Sequence, residues 1–386
     1  MLTKYNLKMP REIFSGEDAL ENLKTILLAN GVKKAAVFTD KGIQSAGLLD
    51  FPMDRIRAAG VESVILDDLP PEPTYSQVQA LADAYTASGA DFIIAVGGGS
   101  VMDTAKLSSI LSTGEYTMQD LLDTPSLGRK HVKTLMIPTT AGTGAEATPN
   151  AIVAVPEKEL KVGIVNGQMV ADYVILDAVM IKKLPRKIAA ATGVDALCHA
   201  IECWTSNKSN PFSDLFAMEA LDLILNHIEP ACDDSEAMDA KNKMQIASFL
   251  AGVAIAASGT TAVHALSYPL GGKYHIAHGV SNAILLVPVM KFNEPVCREK
   301  FAQAYDRCVH GAHTCETAEK KSAYMIQWME EIVKHLEIPA SLKEFGVPTE
   351  DLEDLVKSGM EVTRLLANNM REVTPDDARS IYWQIL

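Results

Sequence analysis

Positive charge is scarce in this chain, which has 35 lysines and arginines against 49 aspartates and glutamates and a formal net charge of −14. A general nucleic-acid binder needs a basic surface for its phosphate contacts, so this balance argues against that class of protein. It also disfavours adhesion to anionic lipids. We therefore expect neither nucleic acid nor a membrane surface among the partners.

Long uninterrupted apolar runs are also missing. The opening MLTKYNLKMPREIF has no apolar core and no small-residue cleavage site, so no signal peptide is predicted. The most membrane-like stretch, FLAGVAIAASGTTAVHALSY at 249–268, is broken near its middle by Ser258, Gly259, Thr260 and Thr261, and again by His264. This pattern favours a buried pair of helices over a membrane span.

Cysteine is sparse, and its six positions include no CxxC pair: Cys198, Cys203, Cys232, Cys297, Cys308 and Cys315. In a chain of 386 residues this usage is typical of reduced thiols in a cytoplasmic protein.

The chain divides into two parts with different patterns. Up to about residue 184, short β-branched runs alternate with helical segments, which predicts βαβ units and a mainly parallel sheet. The predicted strands are AAVFTD (35–40), SVILDD (63–68), DFIIAVGGGS (91–100), TLMIPTT (134–140), AIVAV (151–155) and YVILD (173–177). From LPRKIAAATG onward only helical periodicity remains. We expect an α/β domain at 1–184 and an all-helical domain at 185–386.

A glycine-rich turn, Gly97-Gly98-Gly99-Ser100, follows the strand FIIAV and precedes the helical segment VMDTAKLSSIL. Such a turn lets backbone N–H groups and the helix dipole meet a phosphate, although it could equally be a tight turn alone. Ser100 and Asp103 have the spacing of an N-cap and its N3 partner. The turn lacks the third glycine of the ordinary GxGxxG dinucleotide fingerprint.

Two further features lie where strands are predicted to end. The loop PTTAGTGAEAT at 138–148 carries four threonines and could line a cofactor groove. Asp40 ends the first clear strand, where it is either a turn residue or an acceptor for a ribose 2′-hydroxyl. Loops at strand ends point to the crevice where α/β sheets bind ligands.

Asp195 and His199 lie four residues apart in GVDALCHAIECWTS, on one face of an otherwise apolar helix. They could be a hydrogen-bonded pair that satisfies itself in a core. His264 and His278 follow fourteen residues apart, with His275 nearby. Three imidazoles and one carboxylate would also form a sensible ligand set for a divalent transition metal.

Five motifs together resemble the iron-containing (group III) alcohol dehydrogenases, and the resemblance covers almost the whole chain. They are TDKG (39–42), GGGSVMDTAK (97–106), PTTAGTGAE (138–146), GVDALCHAIE (193–202) and PLGGKYHIAHGVSNAILL (269–286). The resemblance implies a dehydroquinate synthase-like architecture, with a Rossmann-like NAD-binding domain, an all-α metal-binding domain and a metal in the cleft between them. It also implies a homodimer or larger homo-oligomer.

Site residues follow from the same resemblance. The implied metal ligands are Asp195, His199, His264 and His278, and the metal is Fe2+, with Zn2+ as an alternative. The implied cofactor-binding residues are Asp40, Glu72, Gly97, Gly98, Gly99, Ser100, Asp103, Thr139, Thr140, Thr143, Thr148, Asn150 and Lys161.

Three positions depart from the family pattern. Tyr268 stands where the family commonly has a histidine four residues after the third ligand, which puts the proton-transfer route in doubt. His275 is an alternative proton shuttle. Ile255 replaces a common aromatic residue of the substrate pocket, and Glu72 replaces an uncharged polar residue in the segment PEPT.

We therefore expect an NAD(H)-linked, metal-dependent alcohol dehydrogenase or aldehyde reductase that acts on a small primary alcohol or aldehyde. Two alternatives stay open. One is a lyase or cyclase of the dehydroquinate synthase type on the same fold, and the other is a non-catalytic metal-binding protein.

Overall fold

The computed structural model describes residues 4–158 and 160–386, which form two compact units. One unit spans Lys8–Lys183, and the other spans Leu184–Leu386 together with residues 4–7. The expected division at 184/185 assigned those N-terminal residues to the α/β part.

The described residues of the α/β unit form eight strands. Their bounds are β1 (Glu12–Ser15), β2 (Lys34–Phe38), β3 (Glu62–Leu66), β4 (Phe92–Gly97), β5 (Lys133–Pro138), β6 (Asn150–Val155), β7 (Leu160–Val165) and β8 (Tyr173–Leu176). Six of them form a parallel sheet in the order β1-β8-β5-β4-β2-β3. The remaining two, β6 and β7, pair antiparallel in a separate ribbon. AIVAV, predicted as a strand among βαβ units, therefore lies outside the parallel sheet.

Six α-helices belong to this unit: α1 (Asn22–Ala29), α2 (Lys41–Ser45), α3 (Asp50–Ala58), α4 (Tyr75–Ser88), α5 (Gly99–Leu111) and α6 (Met118–Asp123). Strand β4 is buried along its whole length, as expected for a strand covered on both faces. Its residues Phe92, Ile94 and Val96 pack with Leu23 and Ile56 of α1 and α3. A second apolar cluster joins α4 and α5 to the β6–β7 ribbon.

In the helical unit, the part from Leu184 to Leu386 forms nine α-helices: α7 (Arg186–Trp204), α8 (Pro211–Asp233), α9 (Met238–Ser258), α10 (Ala262–Tyr274), α11 (His278–Cys308), α12 (Ala318–His335), α13 (Leu352–Met360), α14 (Thr363–Leu366) and α15 (Pro375–Trp383). Short 3-10 turns across both units occupy Ala19–Glu21, Pro125–Leu127, Pro156–Lys158, Gly167–Met169, Ala178–Ile181, Leu342–Phe345 and Thr349–Asp351. Helix α7 is the centre of this unit, since α8, α9, α10 and α11 all pack against it.

Among the described residues, no single helix has both the length and the apolar character to cross a membrane. Helices α9 and α10 meet that criterion only as a pair, and the pair is bent by 105° at the break between them. The break coincides with the polar interruption noted in the sequence at 258–261.

Candidate functional site

Helix α7 carries the carboxylate and the first imidazole of the predicted metal site. Asp195 and His199 are only 2% and 5% exposed, and His199 Nε2 lies 3.8 Å from Asp195 Oδ1. A direct hydrogen bond would be shorter than 3.2 Å. The two side chains therefore point to a common space instead of satisfying only each other.

The other two imidazoles come from the next helices in the bundle. His264, in the first turn of α10, places Nε2 3.6 Å from Asp195 Oδ1. His278, the first residue of α11, places its Nε2 3.7 Å from the same oxygen. The donor atoms of all four residues lie within 4.8 Å of one another. The structure thus brings together the four predicted ligands, which span 84 positions of sequence from 195 to 278.

Gly279 explains how α11 comes close enough to take part. A Cβ atom at this position would lie 2.2 Å from the carbonyl oxygen of Ala191 on α7. Only glycine allows this approach, and the approach places the neighbouring His278 beside the two ligands of α7. In the pair His278-Gly279, the glycine is therefore needed for packing against α7, and the histidine is the proposed ligand.

Charge is concentrated at this cluster. Burial alone would raise the pKa of Asp195, but the surrounding imidazoles of His199, His278 and His264 hold it well below its usual range. Burial lowers the pKa of His264, but the neighbouring carboxylates of Glu202 and Asp195 raise it by more. The balance raises the pKa of His264 to about 9. The cluster therefore stabilises positive charge next to Asp195.

The donor set fits a divalent transition metal. Ligand atoms about 2.0–2.2 Å from a tetrahedral metal lie roughly 3.3–3.6 Å apart, close to the separations from Asp195 Oδ1 given above. Asn282 is fully buried beside the cluster, and its Oδ1 atom has no hydrogen-bond partner. Its Nδ2 atom lies 2.7 Å from Asp195 Oδ1 and 3.1 Å from His264 Nε2. Buried polar atoms of this kind are costly in a core and common around an ion.

Sequence reasoning missed two residues of this centre. Asn282 follows His278 by four residues and so shares its helix face. Glu202 follows His199 by three residues on α7 and contacts His264 Nδ1. Helical spacing was the available signal in both cases, but only the packing of α7, α10 and α11 distinguishes them from ordinary polar residues.

A cavity of about 840 Å³ lies in the α/β unit at the carboxyl ends of β2, β3 and β4. Four of the predicted cofactor-binding residues line it, namely Asp40, Gly98, Gly99 and Ser100. Asp67 and Asp68, which were predicted only as the end of the strand SVILDD, also line it. Because β2, β3 and β4 are parallel, their carboxyl ends and the loops that follow them meet at this edge.

The predicted N-cap at Ser100 is wrong. Helix α5 begins at Gly99, its N-cap is Gly98, and no side chain caps its first turn. Asp103 is not a capping partner either, because its carboxylate pairs with Lys106 at 2.8 Å and accepts from Ile152 N–H at 2.9 Å. The N–H groups of the first turn are thus left without a side-chain acceptor, which suits an anion site.

The second loop lies directly against the first. A Cβ atom on Gly99 would be 3.0 Å from Thr143, and one on Gly98 would be 3.8 Å from Thr140. Thr139 continues from β5, with its N–H donating to the Gly97 carbonyl at 3.0 Å. Three of the predicted cofactor glycines and three of the predicted threonines therefore lie against one another in pairs.

The remaining predicted cofactor residues form hydrogen bonds within the α/β unit, some of them to one another. Lys161 Nζ donates to Glu72 Oε1 at 2.5 Å, and Glu72 adopts a left-handed backbone conformation with φ 53°. The Thr148 hydroxyl and the Asn150 carbonyl both accept from Lys106 Nζ. Asp40 accepts from Ile43 N–H at 2.9 Å and so caps helix α2.

Three residues that were predicted to take part in proton transfer or to line the substrate pocket lie in the helical unit. The Tyr268 ring is half-buried, 6.2 Å from that of His278, and burial raises the pKa of its hydroxyl. His275 ends α10 in a left-handed conformation and is exposed, outside the group of four clustered ligands. Ile255 is partly buried near the end of α9.

Comparison with known proteins gives the same assignment for both units. The profile of iron-containing alcohol dehydrogenase matches residues 10–178, and that of the Fe-containing alcohol dehydrogenase family, C-terminal, matches residues 189–386. The chain is 34% identical over 372 residues to long-chain-alcohol dehydrogenase 1 of Geobacillus thermodenitrificans (strain NG80-2), covering 95% of this chain and 93% of that protein.

Two solved structures show the same fold. A crystal structure of 1,3-propanediol oxidoreductase superposes with a TM-score of 0.93 at 28% identity and 100% coverage of both chains. Sulfoacetaldehyde reductase from Bifidobacterium kashiwanohense, in complex with NAD+, gives a TM-score of 0.88 at 27% identity, covering 100% of this chain and 99% of that one.

These matches confirm the predicted family and fold class. The clustered ligands and the family together support a divalent metal and NAD as cofactors. The chain belongs to the iron-containing alcohol dehydrogenase family and is an NAD-linked oxidoreductase that acts on alcohols and aldehydes.

Proposed function

We propose that the chain transfers hydride reversibly between a small primary alcohol or aldehyde and NAD(H), with the metal held by Asp195, His199, His264 and His278. The observation that carries this proposal is the convergence of four donor atoms from α7, α10 and α11 within 4.8 Å. Membership of the family favours this chemistry over a lyase reaction of the dehydroquinate synthase type and over simple metal binding.

The protein groups at the centre have separate tasks. A bound divalent cation supplies Lewis-acid chemistry, because it stabilises negative charge on the substrate oxygen. Asp195 and His264 are almost fully buried, so they exclude water from the inner side of the centre. The side chain of His278 is 38% exposed, so substrate approaches from that side. Tyr268, whose ring lies 6.2 Å from that of His278, shapes the pocket there, and the family pattern assigns Ile255 to the same pocket.

Cofactor binding is assigned to the α/β unit. The uncapped N–H groups at Gly98, Gly99 and Ser100 receive the pyrophosphate, and the threonines of the adjoining loop contact the rest of the cofactor. Asp40 accepts from the ribose hydroxyls and repels a 2′-phosphate, which favours NAD over NADP. Glu72, Asn150 and Lys161 complete the site, whereas Asp103 supports it through Lys106.

With NAD bound, its ribose hydroxyls and water would carry the proton to solvent, and Tyr268 would only shape the pocket. His275 is the substitute shuttle, since it lies three residues before a ligand, although its exposed position makes it a carrier to solvent rather than a group at the reacting atoms.

The experiment is an NADH absorbance assay on purified enzyme of known metal content. The panel runs from methanol to long-chain primary alcohols and includes diols and aldehydes with a terminal charge, because the relatives named above differ in these respects. We expect turnover that a chelator abolishes and added Fe2+ or Zn2+ restores. Metal binding without turnover of any panel member would contradict the proposal.

We further propose a cytoplasmic homodimer or larger homo-oligomer. All six cysteines are free thiols, which suits a reducing compartment. Sedimentation of the purified protein over a range of concentrations tests the assembly, and a monomer at all concentrations would contradict it.

A further inference from the structure

Glu202 lies on the same helix as the first two proposed ligands but is not one of the four clustered donors. It follows His199 by three residues and Asp195 by seven, which keeps all three on one side of α7. Its side chain is fully buried. A buried carboxylate needs partners, so its contacts define what it does.

One oxygen of Glu202 holds the start of helix α10. Oε1 accepts from Thr261 N–H at 3.0 Å, from the Thr261 hydroxyl at 2.8 Å and from Val263 N–H at 2.8 Å. The N–H groups of a first helical turn have no partners within the helix, so this carboxylate oxygen takes the place of an N-cap side chain. The position of α10 is thereby fixed relative to α7.

The other oxygen contacts the imidazole of His264. Glu202 Oε2 is hydrogen-bonded to His264 Nδ1, while Nε2 of the same ring faces Asp195 Oδ1 at 3.6 Å. An ionised carboxylate can only accept, so the hydrogen lies on Nδ1. The lone pair of Nε2 is then left for a cation, which is the tautomer that a metal requires.

The orientation of His264 also determines that of its neighbour. The rings of His199 and His264 are stacked, with centroids 4.6 Å apart and an interplanar angle of 19°. A rotation of His264 would therefore disturb two of the four proposed ligands.

We propose that Glu202 is a positioning residue that sets the affinity of the site for its divalent cation, by fixing the tautomer and orientation of His264. The inference rests on the ligand role given to His264 above. Carboxylate–histidine–metal arrangements recur in metalloproteins, and loss of such an outer partner typically weakens metal affinity about 10–100-fold.

Glu202→Gln separates this role from packing. Glutamine keeps the size of the side chain, and its carbonyl can still accept from Thr261 and Val263. Its amide group must then face His264 Nδ1 and donate to it, which moves the ring hydrogen to Nε2, where it blocks the cation. The variant should fold but bind metal poorly.

The matched control is Asp222→Asn, which removes another buried carboxylate of the helical unit. Asp222 is 6% exposed, and it contacts His310 Nε2 at 2.7 Å and Arg307 at 2.8 Å, none of which is a proposed ligand. It therefore represents a carboxylate–histidine contact of purely structural use.

The experiment measures the dissociation constant for Zn2+ by chelator competition on the full-length protein, together with the unfolding temperature in excess chelator. We expect Glu202→Gln to weaken Zn2+ binding about 10–100-fold and to change the chelator unfolding temperature no more than Asp222→Asn does. The control should bind Zn2+ like the unmodified protein. Equal Zn2+ affinity in Glu202→Gln would overturn the inference, whereas absence of Zn2+ binding by the unmodified protein would contradict the proposed metal centre itself.

A second measurement does not depend on the folding of Glu202→Gln. In the Zn2+-loaded unmodified protein, selective ¹⁵N labelling of histidine should show a slowly exchanging Nδ1–H proton for His264, assigned by its loss in His264→Gln. A His264 ring with its hydrogen on Nε2 would overturn the inference even if Glu202→Gln failed to fold.

Discussion

Lys106 and Asp103 form a buried ion pair one turn apart on α5, with 2.8 Å between Lys106 Nζ and Asp103 Oδ1. Lys106 is fully buried and also donates to the carbonyl of Ala145 at 2.9 Å and to that of Asn150. The helix that follows the first glycine loop is thus tied to the backbone of the second loop. This pair explains how both loops of the proposed cofactor site keep their relative positions.

Lys106→Met should therefore destabilise the protein and weaken NAD binding together. Removing one partner of a buried ion pair costs about 3–5 kcal/mol, because the other charge is left uncompensated. Urea unfolding should show that loss, and the KM for NAD should rise. The double variant Lys106→Met with Asp103→Asn should recover part of the stability, since no unpaired charge remains. A single variant as stable as the unmodified protein would show that the pair contributes nothing.

Asp40→Asn tests the basis of cofactor choice. Asp40 both caps α2 and lines the cavity, and asparagine caps a helix about as well as aspartate, so only the charge is removed. We expect kcat/KM with NADP, relative to NAD, to rise by about tenfold, while NAD remains preferred. The gain is limited because Asp67 and Asp68 line the same cavity.

Asp40→Gly, which removes the cap as well, should give a similar shift in preference. Equal efficiency with both cofactors in the unmodified enzyme would show that Asp40 does not face the ribose.

Elemental analysis of His278→Ala tests the ligand set. The unmodified protein should carry about one divalent metal per chain, iron or zinc according to supply, because such a ligand set discriminates poorly between them. The side chain of His278 is 38% exposed, so its truncation should lose metal and activity while the chain stays folded by circular dichroism. Full activity in metal-free His278→Ala would contradict the assignment of His278 as a ligand of a catalytic metal.

Glu146 predicts a pH dependence of stability. It is buried in the second loop, and burial raises its pKa to about 7. Between its unfolded pKa near 4.3 and this value, the folded state binds more protons, so stability falls as pH rises through that range. Glu146→Gln should lose less stability than the unmodified protein between roughly pH 5 and pH 8 in urea titrations. Identical losses would show that Glu146 does not titrate there.

Local sequence patterns predicted the strands and helix faces whose structure depends on residues close together in the chain. β-Branched runs predicted five of the six strands of the parallel sheet, and the spacing of four residues on α7 placed Asp195 and His199 on one face. The short strand β1, EIFS, was missed because half of its residues are polar. Strand β7 was also missed. Its antiparallel pairing with β6 leaves no sequence periodicity that would distinguish the pair from a strand of a βαβ unit.

The missing parts of the site depend on contacts between distant segments. Asn282 reaches Asp195 across 87 positions, and Glu202 reaches His264 across 62. A lone glutamate or asparagine on a helix is ordinary in sequence, and only packing of α7 against α10 and α11 buries it. The cap of α5 was misassigned because serine is the better capping residue, whereas the glycine turn places Gly98 at that position.

Tyr268→Phe addresses the proton-transfer route. Tyr268 lies one helical turn after His264 on α10, and its ring is 6.2 Å from that of His278, so it borders the proposed substrate side of the centre. A histidine at this position could titrate near neutrality, whereas tyrosine has a pKa near 10 in water. Burial raises the pKa of the Tyr268 hydroxyl further, although the positive charge of Arg364 opposes this shift.

The hydroxyl therefore stays protonated at neutral pH and is a poor acceptor for the proton of an alcohol. Positioned acid–base groups contribute about 10²–10⁴-fold to rate, so a residue that only shapes the pocket should cost much less when its hydroxyl is removed. We expect Tyr268→Phe to keep kcat within roughly tenfold, with metal content and NAD binding unchanged. A loss of a hundredfold or more in kcat, with both cofactors still bound, would make the Tyr268 hydroxyl part of the proton path, because the phenyl ring preserves the packing and removes only the group that could carry the proton.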